Sequence, residues 1–194
     1  LIRGGETFVL QLAGAPGSGK STLARAIATK VDVVVLDLDI IKSAVLSVDP
    51  DFQRASRVGY EVLWATLESL VIQGFSVVVD SPCNYQEVLD NSMRIAAQHG
   101  ARFGFVECRV EDVELLDARL RTRPTQRSQQ ISVEQRPMDA PSGQVDPAEL
   151  FHRWIFDIVR PAHGYIQLDT QADINRLAEA AIEYIASLVA PERR

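Results

Sequence analysis

Cysteine is scarce in this chain. Its 194 residues hold two, Cys83 and Cys108, which form neither a disulfide framework nor a CxxC metal pair, so a reducing cytoplasm is the expected setting. Long apolar runs are missing: none approaches the roughly 20 residues of a membrane span, and the opening LIRGGE has no signal-peptide pattern. Basic charge is in deficit, with 20 Lys and Arg against 26 Asp and Glu and a formal net charge of −6. That balance argues against a protein that coats nucleic acid, although it leaves room for a local basic site. The three histidines, His99, His152 and His163, share no ligand-like spacing. No internal repeat, NKxD guanine signature or DxxG switch sequence occurs, and nothing in the chain points to an oligomeric state.

What is present reads as a soluble globular chain, 46% hydrophobic and 24% charged, long enough for one domain with a substantial core over residues 1–194. Short β-rich runs alternate with helical stretches. Strands are expected at Thr7–Ala13, Val31–Leu36, Phe75–Val79, Arg102–Cys108 and Tyr165–Leu168. Helices are expected at Lys20–Lys30, Ile40–Leu46, Arg57–Gln73, Tyr85–His99, Asp112–Arg121, from Phe151 onward, and from Ile174 to Leu188. Gly74 and Gly100 stand where two of these helices should end. Trp64, Trp154 and Cys83 are expected in the core. Residues 124–147 are polar, proline-bearing and poor in large apolar side chains, which predicts a mobile surface segment. Strands alternating with helices predict a parallel sheet covered on both faces, with its ligand site beyond the carboxyl ends of the strands.

The strongest local signal is Gly14-Ala15-Pro16-Gly17-Ser18-Gly19-Lys20-Ser21-Thr22, which fits GxxxxGK[ST] between a predicted strand and a predicted helix. Glycines let backbone N–H groups curl around phosphate oxygens, and the helix start adds its positive dipole end. Lys20 supplies a movable charge for the β- and γ-phosphates, and the Ser21 hydroxyl suits Mg²⁺. ATP and Mg²⁺ are therefore the expected ligands of residues 14–22.

Two predicted strands run from apolar residues into an aspartate, Asp37 and Asp80, and Asp39 follows two residues after the first. Asp37 or Asp80 could assist Mg²⁺, while an acceptor hydroxyl needs a base; Asp39 is expected to cap the helix that begins at Ile40. Asp80 is followed by Ser81, so the adjacent Glu typical of water-activating motor ATPases is absent. Arg119, Arg121, Arg123, Arg127 and Arg136 concentrate in an otherwise acidic chain. Arg119 and Arg123, four apart, are expected on one helix face, where they could meet the charge that develops in phosphoryl transfer.

The segments LAGAPGSGKSTLAR, LDLDIIKSAVL, VVVDSPCNYQEVLDNSMRIAAQHGARFGFVEC and LLDARLRTRP together resemble small P-loop kinases grouped around polynucleotide kinase, zeta toxin and chloramphenicol phosphotransferase. The resemblance covers most of residues 7–123 and resumes faintly at HGYIQLDT. It implies a nucleoside-kinase-like three-layer α/β/α P-loop NTPase fold, with a five-stranded parallel sheet and a mobile lid at about residues 119–147. It also implies Asp39 as general base, Lys42 as the acceptor-side basic residue, an acceptor pocket along Asp80–Asn84, and Arg119 and Arg123 as lid arginines. Lys42 stands where polynucleotide kinase has Arg, and neither the acceptor arginine motif of adenylate kinases nor the glycine triplet of shikimate kinase is present. Together these readings predict a phosphotransferase acting on a hydroxyl of a small molecule. The alternative is a nucleotide-dependent switch or slow NTPase working through a protein partner.

Overall fold

In the computed structural model, residues 6–141 and 146–189 are described. Five strands run β1 (Phe8–Ala13), β2 (Val34–Asp37), β3 (Val77–Asp80), β4 (Arg102–Arg109) and β5 (Ile166–Asp169). They form one all-parallel sheet in the order β2-β3-β1-β4-β5. The helices are α1 (Lys20–Ala28), α2 (Leu38–Val48), α3 (Phe52–Ile72), α4 (Gln86–Gln98), α5 (Val113–Thr122), α6 (Pro147–Phe156) and α7 (Ile174–Val189). This is the expected P-loop α/β fold.

The central strand β1 is buried along its whole length, and its alternating side chains feed two cores. Phe8, Leu10 and Leu12 join Leu23 and Ile27 of α1 and Leu177, Ala181 and Ile185 of α7 on one face. Val9 joins Leu63, Leu67 and Val71 of α3 and Ile95 of α4 on the other. Each such large side chain, fully removed from water, contributes about 1.5–3 kcal/mol before the entropy of ordering it is counted. A smaller cluster holds α5 to α6 through Leu116, Leu120, Phe151 and Ile155.

One polar residue breaks the apolar run of β1. Gln11, fully buried, donates from Nε2 to Ser81 Oγ (3.1 Å), Ser81 O (3.3 Å) and Leu12 O (2.7 Å), and its Oε1 accepts from Ser92 Oγ (2.9 Å). A second buried polar group, Glu107 on β4, receives a two-point contact from Arg160 (2.6 and 2.8 Å) and a bond from Gln167 (2.8 Å). These bonds tie the connection after α6 to the sheet.

Helix α3 begins five residues before the expected Arg57, because Asp51 caps it by accepting from Arg54 N at 2.9 Å. Gly74 and Gly100 follow α3 and α4 with positive φ, as expected. Cys83 is buried in an apolar cluster, whereas Trp64 and Trp154 are only partly buried. Between α5 and α6 the described chain has no helix or strand, yet Ser128, Gln129 and Gln130 are buried, unlike the surface stretch that the sequence predicts. Residues 142–145 of the expected lid lie outside the described residues. No helix among the described residues is long and apolar enough to cross a membrane.

Candidate active site

The loop between β1 and α1 has a shape that its glycines alone permit. Gly14 has φ 138°, and a Cβ there would lie 2.4 Å from Cys108 O and 2.5 Å from Ser18 Oγ. Ser18 N donates to Ala15 O (3.1 Å), closing the turn, and Gly19 enters α1 without a side-chain cap. The first-turn N–H groups of α1 thus face the loop with no capping side chain to take them. Lys20 reaches back across the loop, donating from Nζ to Gly14 O (2.8 Å) and Ala15 O (3.1 Å). Burial pulls its ammonium pKa down, opposed by the nearby Asp80 carboxylate.

Asp37 and Asp80 stand side by side in register at the ends of β2 and β3, with Leu12 of β1 opposite Asp80. Burial pushes the Asp80 pKa up to about 6, against the pull of Lys20 and a hydrogen bond with Ser21. Asp80 Oδ2 is buried and has no hydrogen-bond partner among the described residues. An orphaned carboxylate oxygen beside a hydroxyl and a second carboxylate suits a hard cation. Burial and the neighbouring Asp39 also raise the pKa of Asp37. The expectation that Asp39 caps α2 is corrected: Asp37 does so, its Oδ1 accepting from Asp39 N (2.8 Å) and Ile40 N (3.3 Å). Strand β2 runs to Asp37 itself, so the helix begins at once and Asp39 falls in its first turn.

That shift frees the Asp39 side chain, which takes Ser128 Oγ on Oδ1 and Gln129 Nε2 on Oδ2, both at 3.0 Å. One turn on, Lys42 lies across Gly59 of α3 and holds its ammonium 4.7 Å from the centre of the Phe52 ring. Its pKa is lowered by burial, with Asp39 opposing. Asn84 Oδ1 is buried without a partner among the described residues.

The arginines separate by partner. Arg119 donates to Thr170 O (2.9 Å) and Gly17 O (3.5 Å), while the Thr170 hydroxyl donates to Ser18 O (2.6 Å). Arg123 is not on the helix face with Arg119 but at the C-cap of α5 in extended backbone. It donates to Gln130 O (3.2 Å), and its Nε is buried without a partner among the described residues. Arg121 pairs with Asp117 and Arg127 with Asp139, both on the surface side. Arg136 donates to Pro141 O (3.2 Å).

One cavity of about 1220 Å³ gathers most of these groups. Pro16, Gly17, Gly19, Lys20, Ser21 and Thr22 line it, as do Asp37, Asp39, Lys42, Asp80, Asn84, Arg119 and Arg123. Gly14, Ala15 and Ser18, the buried residues of the loop, are not part of its lining. Sequence reasoning missed Phe52, Arg57 and Tyr60 on the cavity face of α3, Ser128–Gln130, and Thr170 after β5. The spacing of 52, 56, 57 and 60 is a helical face that could have been read had the start of α3 been recognised.

The model of the AAA domain family matches residues 9–147, from β1 to the start of α6. No curated protein matches the chain. Among solved structures, a Chloroflexus aurantiacus protein superposes with a TM-score of 0.71 at 19% identity, covering 92% of this chain and 98% of its own. The Mycobacterium tuberculosis APS kinase CysC, solved with AMPPNP and APS, gives 0.63 at 18% identity, covering 94% and 99%. A Sinorhizobium meliloti gluconokinase gives 0.62 at 17%, covering 96% and 95%. Such low identities speak for the shared fold alone, but the family match spans most of the chain and includes the phosphate loop. This protein belongs to the AAA domain family, as a small P-loop protein with a five-stranded parallel sheet.

Proposed function

We propose that this protein is an ATP-dependent phosphotransferase that moves the γ-phosphoryl group onto a hydroxyl of a small molecule. The observation that carries this reading is the meeting, around one cavity, of a phosphate loop with its lysine, an uncapped helix start, three carboxylates and, among its arginines, Arg119 and Arg123. Neighbouring folds support it: the APS kinase was solved with AMPPNP and APS, a gluconokinase shares the fold, and a shikimate kinase solved with shikimate superposes at a TM-score of 0.53. We read residues 1–194 as one kinase domain, in keeping with a family match that runs from β1 to α6 and with α7 packed on α1.

Each group then has a task. The loop amides and Lys20 bind the triphosphate. Ser21, Asp37 and Asp80 would hold Mg²⁺, which supplies charge neutralisation at the β- and γ-phosphate oxygens when bound. No three His, Cys, Asp or Glu side chains among the described residues stand close enough to hold one metal ion between them, so the ion's other oxygens would come from phosphates and water. Asp39 orients the acceptor hydroxyl and takes its proton while the new O–P bond forms and the bond to the departing ADP breaks. Arg119, fixed between Gly17 and Thr170, holds the phosphate side of the site, and Arg123, with an unspent Nε, meets the charge on the transferring group. Lys42 and Asn84 face the acceptor.

The test is ADP release with Mg·ATP against a panel of nucleosides, sugars, hydroxy acids and antibiotics, repeated with Asp39→Asn. The parent should show acceptor-dependent turnover. The variant should bind Mg·ATP as the parent does and lose about 10²-fold or more in transfer. Turnover indifferent to every acceptor would overturn the reading.

A further inference from the structure

The carboxylate proposed as base is not held by its own helix. Both of its oxygens are engaged by residues about 90 positions away in sequence, in the segment that follows Arg123. Ser128 and Gln129 are themselves only 5% and 8% exposed, although they sit in a polar run with no helix or strand.

The bonds run in one direction. Ser43, one turn after Asp39 on α2, accepts from Ser128 N (3.1 Å) and donates its hydroxyl proton to Ser128 Oγ (3.1 Å). Ser128 Oγ therefore has its own proton left for Asp39, shared between Oδ1 (3.0 Å) and the main-chain O of the same residue (3.1 Å). Gln129 is oriented as well: its Oε1 accepts from Gln126 N (3.1 Å), which turns Nε2 toward Asp39 Oδ2. The next residue, Gln130, offers its carbonyl to Arg123. One knot of chain thus touches both the carboxylate and the arginine.

We infer that Ser128 and Gln129 are positioning residues for the Asp39 carboxylate, so that the segment holding Arg123 also sets the angle of the base. This rests on the phosphotransferase reading. The donors are neutral, so they orient the carboxylate without cancelling its charge. A carboxylate has about four lone-pair sites, and one donor on each oxygen leaves a second site on each for an acceptor hydroxyl. Holding a base at a fixed angle matters because transfer rates fall steeply with misplacement of the reacting groups, by as much as 10²-fold for about 1 Å.

Two measurements test it. Hydrogen exchange of residues 124–141 reads the tie without any turnover: Asp39→Ala, which removes both carboxylate acceptors and leaves Ser128 Oγ only the main-chain O of residue 39, should speed exchange there, while exchange in α7 stays at the parental rate. Kinetics with the acceptor found in the panel read the role. Ser128→Ala and Gln129→Met should each lower kcat about tenfold, leaving the affinity for Mg·AMPPNP within twofold of the parent. In an Asp39→Asn background the same substitutions should change kcat by less than twofold, since there is no base left to aim. A residue that merely stabilised the fold would lower kcat by the same factor in both backgrounds. With an active parent, unchanged or increased kcat in Ser128→Ala and Gln129→Met overturns the positioning role alone; an increase would mean that the segment obstructs the base. A parent with no acceptor-dependent turnover overturns the phosphotransferase reading and this role together, whatever the exchange rates are.

Discussion

Gly59 of α3 and Lys42 of α2 cross with no room for a side chain on the glycine: a Cβ there would lie 2.6 Å from Lys42 Cγ. The contact is near the root of the lysine, so the whole side chain must swing to relieve it. Alanine in a helix interior is ordinarily favoured over glycine by about 1 kcal/mol. Gly59→Ala should instead fail to stabilise the protein, and should raise KM for the acceptor several-fold with KM for ATP unchanged. Steady-state kinetics and a melting curve check this. The double variant with Lys42→Ala should melt at or above Lys42→Ala alone, because the clash has gone.

Two of the arginines that line the cavity, Arg119 and Arg123, should fail differently. Arg119 braces Gly17 and Thr170, so Arg119→Ala should weaken Mg·ATP binding and lower kcat together. Arg123 touches the knot at Gln130 and keeps its Nε unspent, so Arg123→Ala should lower kcat by about 10²-fold with KM for ATP nearly unchanged. Equal effects of both variants on KM for ATP would remove the distinction.

With Asp80 in its proposed metal-holding role, stability and metal binding should depend on pH in opposite senses. Its folded pKa is pushed up to about 6, above the ordinary carboxylate value. The folded chain therefore binds the Asp80 proton more tightly than the unfolded chain, and this group's contribution to stability falls as pH rises from about 4 to about 6. Without Mg²⁺, Asp80→Asn should stabilise the protein at pH 7.5 by about 1–3 kcal/mol, the scale set by raising a carboxyl from its ordinary value to about 6. In its proposed role as a holder of Mg²⁺, Asp80 must be ionised, so Mg·ADP affinity in the parent should rise through pH 6, and Asp80→Asn should flatten that rise. Denaturation at pH 5 and 7.5, with calorimetry of Mg·ADP, reads both effects.

The phosphate loop was legible because its chemistry lies in the backbone: Gly14 has no space for a side chain, and that constraint is written directly in the sequence. The strands were legible from their β-branched runs, and Asp37 and Asp80 from their place at the ends of two of them. The capping role went to Asp37 and not Asp39 because the two aspartates differ only in where the strand stops, and side-chain type does not set that. Ser128 and Gln129 could not be read at all. They belong to a polar run without periodicity, and their meaning comes from contacts with α2 that only the folded chain brings about. Arg123 pointed to the same region, but its alignment with Arg119 assumed a helix that ends one residue earlier.

Gln11 carries a consequence for how the chain finds its alignment. Strand β1 is apolar on both faces, so burial alone would hardly penalise sliding it by one position against β3. The amide removes that freedom: with Leu12 opposite Asp80, its side chain meets Ser81 and Ser92, and a slip would strand it in hydrocarbon at about 1–3 kcal/mol for each unpaired group. Gly14 follows three residues later. A single buried amide thus acts as a gauge mark, fixing how far along the sheet the phosphate loop begins and keeping it level with the aspartate of the neighbouring strand.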